Sequence, residues 1–210
     1  MTELRFLVQG TLIALSCLLF SIPPAATAFV HPPPPASNRS CVAYERAALL
    51  SIRASLWNPS FDFCSWQGEG CCTWKGVRCS YRTGHVVKLN LRGKTSNRYP
   101  VDENRGEISH SLVRLQQLRY IDMSCTNFNC AKIPEFIGSL PSLRCLNLSY
   151  NWFYGRVPPQ IGNLSKLTNL DLKPTDSFSL ELYSGDVHWL SHLSSLQHLD
   201  LSHMNLTARS

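Results

Sequence analysis

A short pattern of apolar positions recurs along the second half of the chain and constrains its fold more than any other feature. The pattern reads LRYIDM from Leu118, LRCLNL from Leu143, LTNLDL from Leu167 and LQHLDL from Leu196. These copies start 25, 24 and 29 residues apart, and an earlier copy, VVKLNL, begins at Val86. One copy of this length cannot bury enough apolar surface by itself, so neighbouring copies must stack on one another.

An L-x-x-L-x-L pattern with a period of about 20 to 29 residues is typical of leucine-rich repeats, in which each copy supplies a short inward-facing strand. Between the strands, residues 106–109, 132–140 and 155–164 carry Gly and Pro beside an inward Ile or Val, which predicts short 3₁₀ or helical pieces on the convex side. We therefore predict an α/β solenoid, right-handed and curved, with parallel strands. The central apolar residue of each strand is expected to be buried: Leu89, Ile121, Leu146, Leu170 and Leu199.

The fourth copy departs from the pattern. Residues 173–193 contain extra residues and lack the Ile-Pro turn, although a short helix is predicted near 186–192. A harmless insertion is the simpler interpretation, and a loop on a binding surface is the alternative.

The N-terminus predicts export from the cell. Residues 1–28 combine Arg5, an apolar run and a small-x-small site, so we predict a signal peptide cleaved after Ala28. No later segment approaches 18 apolar residues, which indicates that nothing in the mature chain spans a membrane. Eight cysteines remain after cleavage, as expected for a disulfide-bonded secreted protein. Four sequons predict glycosylation: Asn38, Asn147, Asn163 and Asn205.

A second pattern precedes the repeats. The run VAYERAALLSIRASL has apolar residues at helical spacing, and CCTWKGVRC follows it. Neighbouring Cα atoms are about 3.8 Å apart, which is too close for an ordinary disulfide, so we predict that Cys71 and Cys72 have different partners. A zinc site built from Cys64, Cys71, Cys72 and Cys79 is the alternative. It is disfavoured by the oxidising compartment and by the spacing.

Residues 41–84 closely resemble the N-terminal cap of plant extracellular leucine-rich-repeat proteins. The shared motifs are the helix sequence ERAALL, the pair Ser65-Trp66 and the run CCTWKGVRC, and VPPQIGNLSKLTNLDL resembles the plant-type repeat. This resemblance implies disulfides between Cys41 and Cys71 and between Cys72 and Cys79. It implies no pairing for the four remaining cysteines: Cys64, Cys125, Cys130 and Cys145. A disulfide between Cys125 and Cys130 is left open, because these two residues flank a turn.

The predicted organisation is a signal peptide (1–28), a proline-rich spacer (29–40), the cap (41–84) and about five repeats (85–210), the last one incomplete. The mature chain resembles the start of a plant receptor-like protein. That resemblance implies an extracellular recognition module in the apoplast that binds a peptide or protein ligand, or a co-receptor kinase, in defence or developmental signalling. Full-length relatives are expected at the plasma membrane, and this chain is expected to be a truncated form without anchor or kinase. The alternative is a secreted inhibitor of cell-wall-degrading enzymes, similar to polygalacturonase inhibitors.

The sequence shows no catalytic motif and predicts neither a cofactor nor a metal site. His188 and His192 are spaced i, i+4, but no H-E-x-x-H pattern accompanies them. The net charge of +6 is spread along the chain, which argues against nucleic acid as a partner. Polar residues between the strand leucines are expected on the concave face, where Asn147 also lies, and we predict ligand binding there: Lys88, Asn90, Arg92, Tyr120, Asp122, Asn169, Asp171, Lys173, His198 and Asp200.

Overall fold

The computed structural model describes residues 41–57, 61–93, 95–96, 99–100, 105–128, 130–175 and 182–206. The predicted signal peptide, the spacer and the Asn38 sequon lie outside the described residues.

The cap begins with helix α1, Ala43–Ser55. Its inward face carries Ala48, Leu49 and Ile52, which are buried at the spacing that the helical period predicts. Glu45 lies on the same face with no exposed surface. Its carboxylate accepts a hydrogen bond from the backbone N–H of Val86 at 2.7 Å and lies 3.0 Å from Nδ1 of His85. The buried charge therefore has partners, and it joins the helix to the start of the first repeat.

Two disulfides and two tryptophans close the cap. The structure joins Cys41 to Cys71 and Cys72 to Cys79, with Cα atoms 5.4 and 5.3 Å apart. Trp66 and Trp74 stack with ring centroids 5.3 Å apart. Their indole N–H groups donate to the carbonyls of Lys75 and Gln67, both at 2.8 Å, so the buried rings leave no indole donor unsatisfied.

The strands of the described residues are short, and most belong to one sheet. In chain order they are β1 (Leu56–Trp57), β2 (Val77–Cys79), β3 (Val86–Asn90), β4 (Thr95–Ser96), β5 (Tyr99–Pro100), β6 (Arg105–Gly106), β7 (Tyr120–Asp122), β8 (Cys145–Asn147), β9 (Gly155–Arg156), β10 (Asn169–Asp171), β11 (Leu182–Tyr183) and β12 (His198–Asp200). The main sheet has the order β12-β10-β8-β7-β3-β2. Each neighbouring pair is parallel except β2 with β3, where the cap joins the sheet.

The strand register confirms the predicted repeat. Leu89 pairs with Ile121, Ile121 with Leu146, Leu146 with Leu170 and Leu170 with Leu199. The first four side chains are at most 1% exposed. Leu199 differs from the expectation because its side chain is 40% exposed. Among the described residues, β12 has a neighbouring strand on one side alone, so nothing covers this leucine from the other side.

Two short 3₁₀ helices, Phe61–Ser65 and Cys71–Thr73, lie in the cap. The side of the solenoid opposite the main sheet is built from 3₁₀ helices rather than α-helices: His110–Arg114, Glu135–Ser139, Pro159–Asn163 and His188–His192. The last of these lies where a short helix was predicted in the irregular fourth copy. Gly138 and Gly162 permit close stacking of these pieces, because a Cβ at either position would collide with the carbonyl of Gln160 or Trp189. Minor sheets pair β1 with β6, β4 with β5 and β9 with β11.

Candidate functional site

The concave face presents one row of side chains from the middle of the main sheet. Lys88 is in register with Tyr120, Tyr120 with Cys145, Cys145 with Asn169 and Asn169 with His198. All five are half-buried or exposed. Because parallel rungs are about 4.8 Å apart, the five residues form a continuous strip across five repeats.

Lys88 and Tyr120 interact directly within this strip. The ammonium nitrogen of Lys88 lies 4.2 Å from the centroid of the Tyr120 ring, which is a cation–π contact. The Tyr120 hydroxyl donates to Oδ2 of Asp122 at 3.3 Å. Partial burial, followed by the negative charge of Asp122, raises the pKa of Tyr120 to about 12. The phenol is therefore neutral at ordinary pH and holds its ring against the lysine.

A second row has a structural role. Asn90, Asp122, Asn147, Asp171 and Asp200 each accept a hydrogen bond at Oδ1 from the backbone N–H two residues further on, at 2.9 to 3.2 Å. These side chains shape the turn through which the chain leaves each strand. The row therefore stabilises the repeat. Because these side-chain oxygens are already hydrogen-bonded, fewer of them are available to a ligand than the sequence pattern suggested.

The carboxylates of this row have different environments. Asp122 is 5% exposed and also accepts a hydrogen bond from the Ser124 hydroxyl at 2.6 Å, so it does not present the accessible side chain that was expected. Burial raises the pKa of Asp171, and the nearby charge of Asp200 acts in the same direction. Hydrogen bonds from the hydroxyl and the backbone of Ser202 lower the pKa of Asp200.

A recess of about 250 Å³ lies at the cap end of the concave face. Its lining combines an aromatic ring, two cationic side chains and backbone from both the cap and the first repeat: Phe63, Lys75, Gly76, Asn90, Leu91, Arg92 and Gly93. The two glycines mark close approaches, since a Cβ at Gly76 would collide with the Asn90 carbonyl and a Cβ at Gly93 with the Cys125 carbonyl. The repeat pattern identified Asn90 and Arg92, but it could not show that the cap completes a recess around them.

Comparison with known proteins identifies the family. Residues 42–80 match the family described as Leucine rich repeat N-terminal domain, and residues 142–164 match Leucine Rich Repeat. Receptor-like protein EIX1 from Solanum lycopersicum is 41% identical over 175 residues, which cover 79% of this chain and 16% of that relative. The chain is a leucine-rich-repeat protein that is similar, over most of its length, to plant receptor-like proteins.

Solved structures of plant ectodomains have the same fold as this chain. A chain of the BIR3–SERK2 complex from Arabidopsis thaliana gives a TM-score of 0.61 at 28% identity, and the match covers 73% of this chain and 78% of that one. The ectodomain of the receptor kinase GASSHO1/SCHENGEN3 from Arabidopsis thaliana, solved in complex with CASPARIAN STRIP INTEGRITY FACTOR 2, gives 0.61 at 26% identity. That match covers 77% of this chain and 18% of that one. The curated relatives are much longer, because the matched segments cover 12–20% of them.

The structure also locates the other residues that the sequence singled out. Cys125, Cys130 and Cys145 are free thiols, so the bridge left open between Cys125 and Cys130 is not formed. His188 and His192 contact each other edge to face, with ring centroids 5.3 Å apart on the exposed side of their 3₁₀ helix.

Within the part of the chain that the structure describes, no helix combines the length and the hydrophobicity that a membrane span requires.

The predicted glycosylation sites differ in their surroundings. Asn163 is exposed, and Asn205 is half-buried beside β11. Asn147 lies in β8 with its side-chain oxygen in the turn described above.

Proposed function

We propose that this chain is an extracellular recognition module of a receptor-like protein, and that its concave face binds a peptide or protein ligand in defence or developmental signalling. The observation that carries the proposal is the strip from Lys88 to His198, which is in register across five strands. A rigid sheet holds these side chains at fixed spacing, so an extended chain can contact several of them at once with little cost in ordering the receptor.

The chemistry of the strip suits a peptide. It offers a cation, an aromatic ring, a thiol, an amide and an imidazole, and the recess at the cap end is lined by Arg92 and Phe63 among others. Aromatic and arginine side chains are enriched among residues that dominate binding energies. Two solved structures supply precedents for binding. One is the ectodomain of GASSHO1/SCHENGEN3 in complex with CASPARIAN STRIP INTEGRITY FACTOR 2, and the other is the complex of BIR3 with SERK2.

A displayed library of random peptides, selected against the secreted chain, tests this proposal. Peptides that bind the concave face should lose at least tenfold in affinity for a Lys88→Ala/Tyr120→Ala variant. The matched control is Lys132→Ala/Tyr154→Ala, which removes a second lysine–tyrosine pair, 5.8 Å apart, that lies outside the main sheet. Equal losses in both variants would place ligand binding elsewhere. Capture of cell-wall hydrolases without any peptide preference would instead favour the inhibitor alternative.

A further inference from the structure

One lateral edge of the solenoid carries positive charge without compensating carboxylates. We call it the strand-entry edge, and define it as residues 114–119, 139–144, 163–168 and 192–197, where each 3₁₀ helix leads into the next strand. It holds Arg114, Arg119, Arg144 and Lys166, all of them exposed. The edge contains no Asp or Glu, and within the described residues none of its four cations forms an ion pair with a carboxylate.

Backbone hydrogen bonds place two of the arginines side by side. The N–H of Arg119 donates to the carbonyl of Val87 at 2.9 Å, and the N–H of Arg144 donates to the carbonyl of Arg119 at 2.8 Å. The two residues therefore occupy the same position on adjacent rungs, about 4.8 Å apart. Thr168 continues the column, since its N–H donates to the Arg144 carbonyl at 2.7 Å. The sheet thus holds the backbones of the two arginines close together, although their positive charges repel each other.

The residues around the cations are almost all hydrophilic. Amide and hydroxyl side chains fill most other exposed positions of the edge: Gln116, Gln117, Ser139, Asn163, Ser165, Ser194, Ser195 and Gln197. None of the large hydrophobic side chains that are exposed among the described residues lies on this edge. A protein interface normally has an apolar or aromatic centre, and a membrane-binding surface needs apolar groups to insert. The composition instead fits a hydrated polymer that carries both carboxylates and hydroxyls.

We propose that the strand-entry edge binds a carboxylated polysaccharide. Uronate carboxylates accept paired hydrogen bonds from Arg119 and Arg144, while sugar hydroxyls exchange hydrogen bonds with the surrounding amide and hydroxyl side chains. Lys166 adds a point charge one repeat further on. The edge adjoins the concave strip, because Arg119 and Arg144 directly precede Tyr120 and Cys145 in the chain.

The experiment measures the affinity of the secreted chain for de-esterified oligogalacturonate. Arg119→Gln/Arg144→Gln removes the paired cations. Glutamine should preserve the local backbone structure, because Gln197 occupies the equivalent position in the last copy. The matched control, Arg82→Gln/Arg156→Gln, removes the same charge from two exposed positions off the edge. Both are made in an Asn163→Gln background, since a glycan at Asn163 would stand on the edge itself. We expect at least tenfold weaker binding for the first variant and less than twofold for the control, with unchanged melting temperatures.

Two further results bear on the same proposal. Binding should weaken as salt is raised, because exposed charges are screened. Fully methyl-esterified oligogalacturonate, which lacks the free carboxylates, should bind at least tenfold more weakly. Equal losses in the two variants, equal binding of the esterified sugar, no binding by the parent chain in 50 mM salt, or equally tight binding to phosphatidylserine vesicles would each overturn it.

Discussion

At the scale of single residues, one side-chain position ties each repeat to the repeat before it. Asn151 is buried, and its amide group donates to the carbonyls of Met123 at 2.8 Å and Leu148 at 2.9 Å. Its side-chain oxygen accepts from the N–H of Thr126 at 2.7 Å. Thr175, at the equivalent position, donates from its hydroxyl to the Asn151 carbonyl at 3.2 Å. The polar groups that the turns leave unpaired are thus satisfied by the next copy along the chain.

Asn151→Ala should lower the free energy of unfolding by about 2–4 kcal/mol, because it leaves buried backbone groups of two repeats without partners. Urea denaturation of the purified chain measures the change. Asn169→Ala is the matched control: Asn169 is exposed on the concave face, and its loss should change the free energy by less than about 0.5 kcal/mol. Similar losses for the two variants would contradict the role assigned to Asn151.

The titration of Tyr120 provides a pH test. Its pKa is raised to about 12 in the folded chain, above the usual value of 10.0, so the unfolded chain ionises first as the pH rises. The contribution of the neutral phenol to stability is therefore fully present below pH 10 and is lost as the pH rises through 12. The ultraviolet difference spectrum between the parent chain and Tyr120→Phe should show one phenol that ionises near pH 12. Ionisation of that phenol near pH 10 would contradict its partial burial and its contact with Asp122.

At the scale of elements, the contribution of a strand leucine to the free energy of unfolding depends on whether its strand has a neighbouring strand on both sides. Leu146 and Leu199 occupy the same repeat position, but the first is 1% exposed and the second 40%. We expect Leu146→Ala to destabilise the chain by about 3 kcal/mol and Leu199→Ala by less than about 1 kcal/mol. Urea denaturation of both variants measures this difference. Equal losses would show that Leu199 is covered in solution.

The two cap disulfides should differ in the stability that they confer. They close loops of about 31 and 8 residues, since their sequence separations are 30 and 7. Loop-closure entropy then gives upper values of about 3.7 kcal/mol for Cys41–Cys71 and about 2.5 kcal/mol for Cys72–Cys79. Thermal unfolding of the two double alanine variants should show the larger loss for the first pair. The reverse order would indicate that packing around Cys72, rather than loop length, decides the effect.

The sequence predicted the strands and their register better than it predicted which polar side chains face a ligand. The repeat register at Leu146 follows from a periodic burial requirement, and any chain with that pattern has to satisfy it. The pattern could not separate ligand-facing from turn-forming polar residues, because Tyr120 and Asp122 both point to the concave side of one strand. Their accessibility depends on the turn after the strand. There, the hydroxyl and the backbone N–H of Ser124 both donate hydrogen bonds to the Asp122 carboxylate.

At the scale of the whole molecule, the cap and the last described repeat form unlike ends. In the cap, β2 pairs with β3, and Glu45 of α1 accepts a hydrogen bond from the N–H of Val86, whereas β12 is the outermost strand at the other end of the main sheet. Leu199 and Leu206 are 40% and 47% exposed there, and Leu201 and Met204 are partly buried. Exposed apolar groups beside an edge strand favour association with another chain.

We therefore expect the unglycosylated 210-residue chain to self-associate through its last described repeat. A glycan at Asn205, which lies beside the exposed leucines, should oppose this by adding bulky polar sugar. Light scattering should show dimers or larger species for Asn205→Gln and monomers for the glycosylated chain. Adding Leu199→Lys to Asn205→Gln should restore monomers, because a charge on the outermost strand opposes pairing of edges. Lys132→Leu is the control for an added apolar group away from this end and should leave the glycosylated chain monomeric. Monomers of Asn205→Gln at all concentrations would show that the exposed leucines do not drive association.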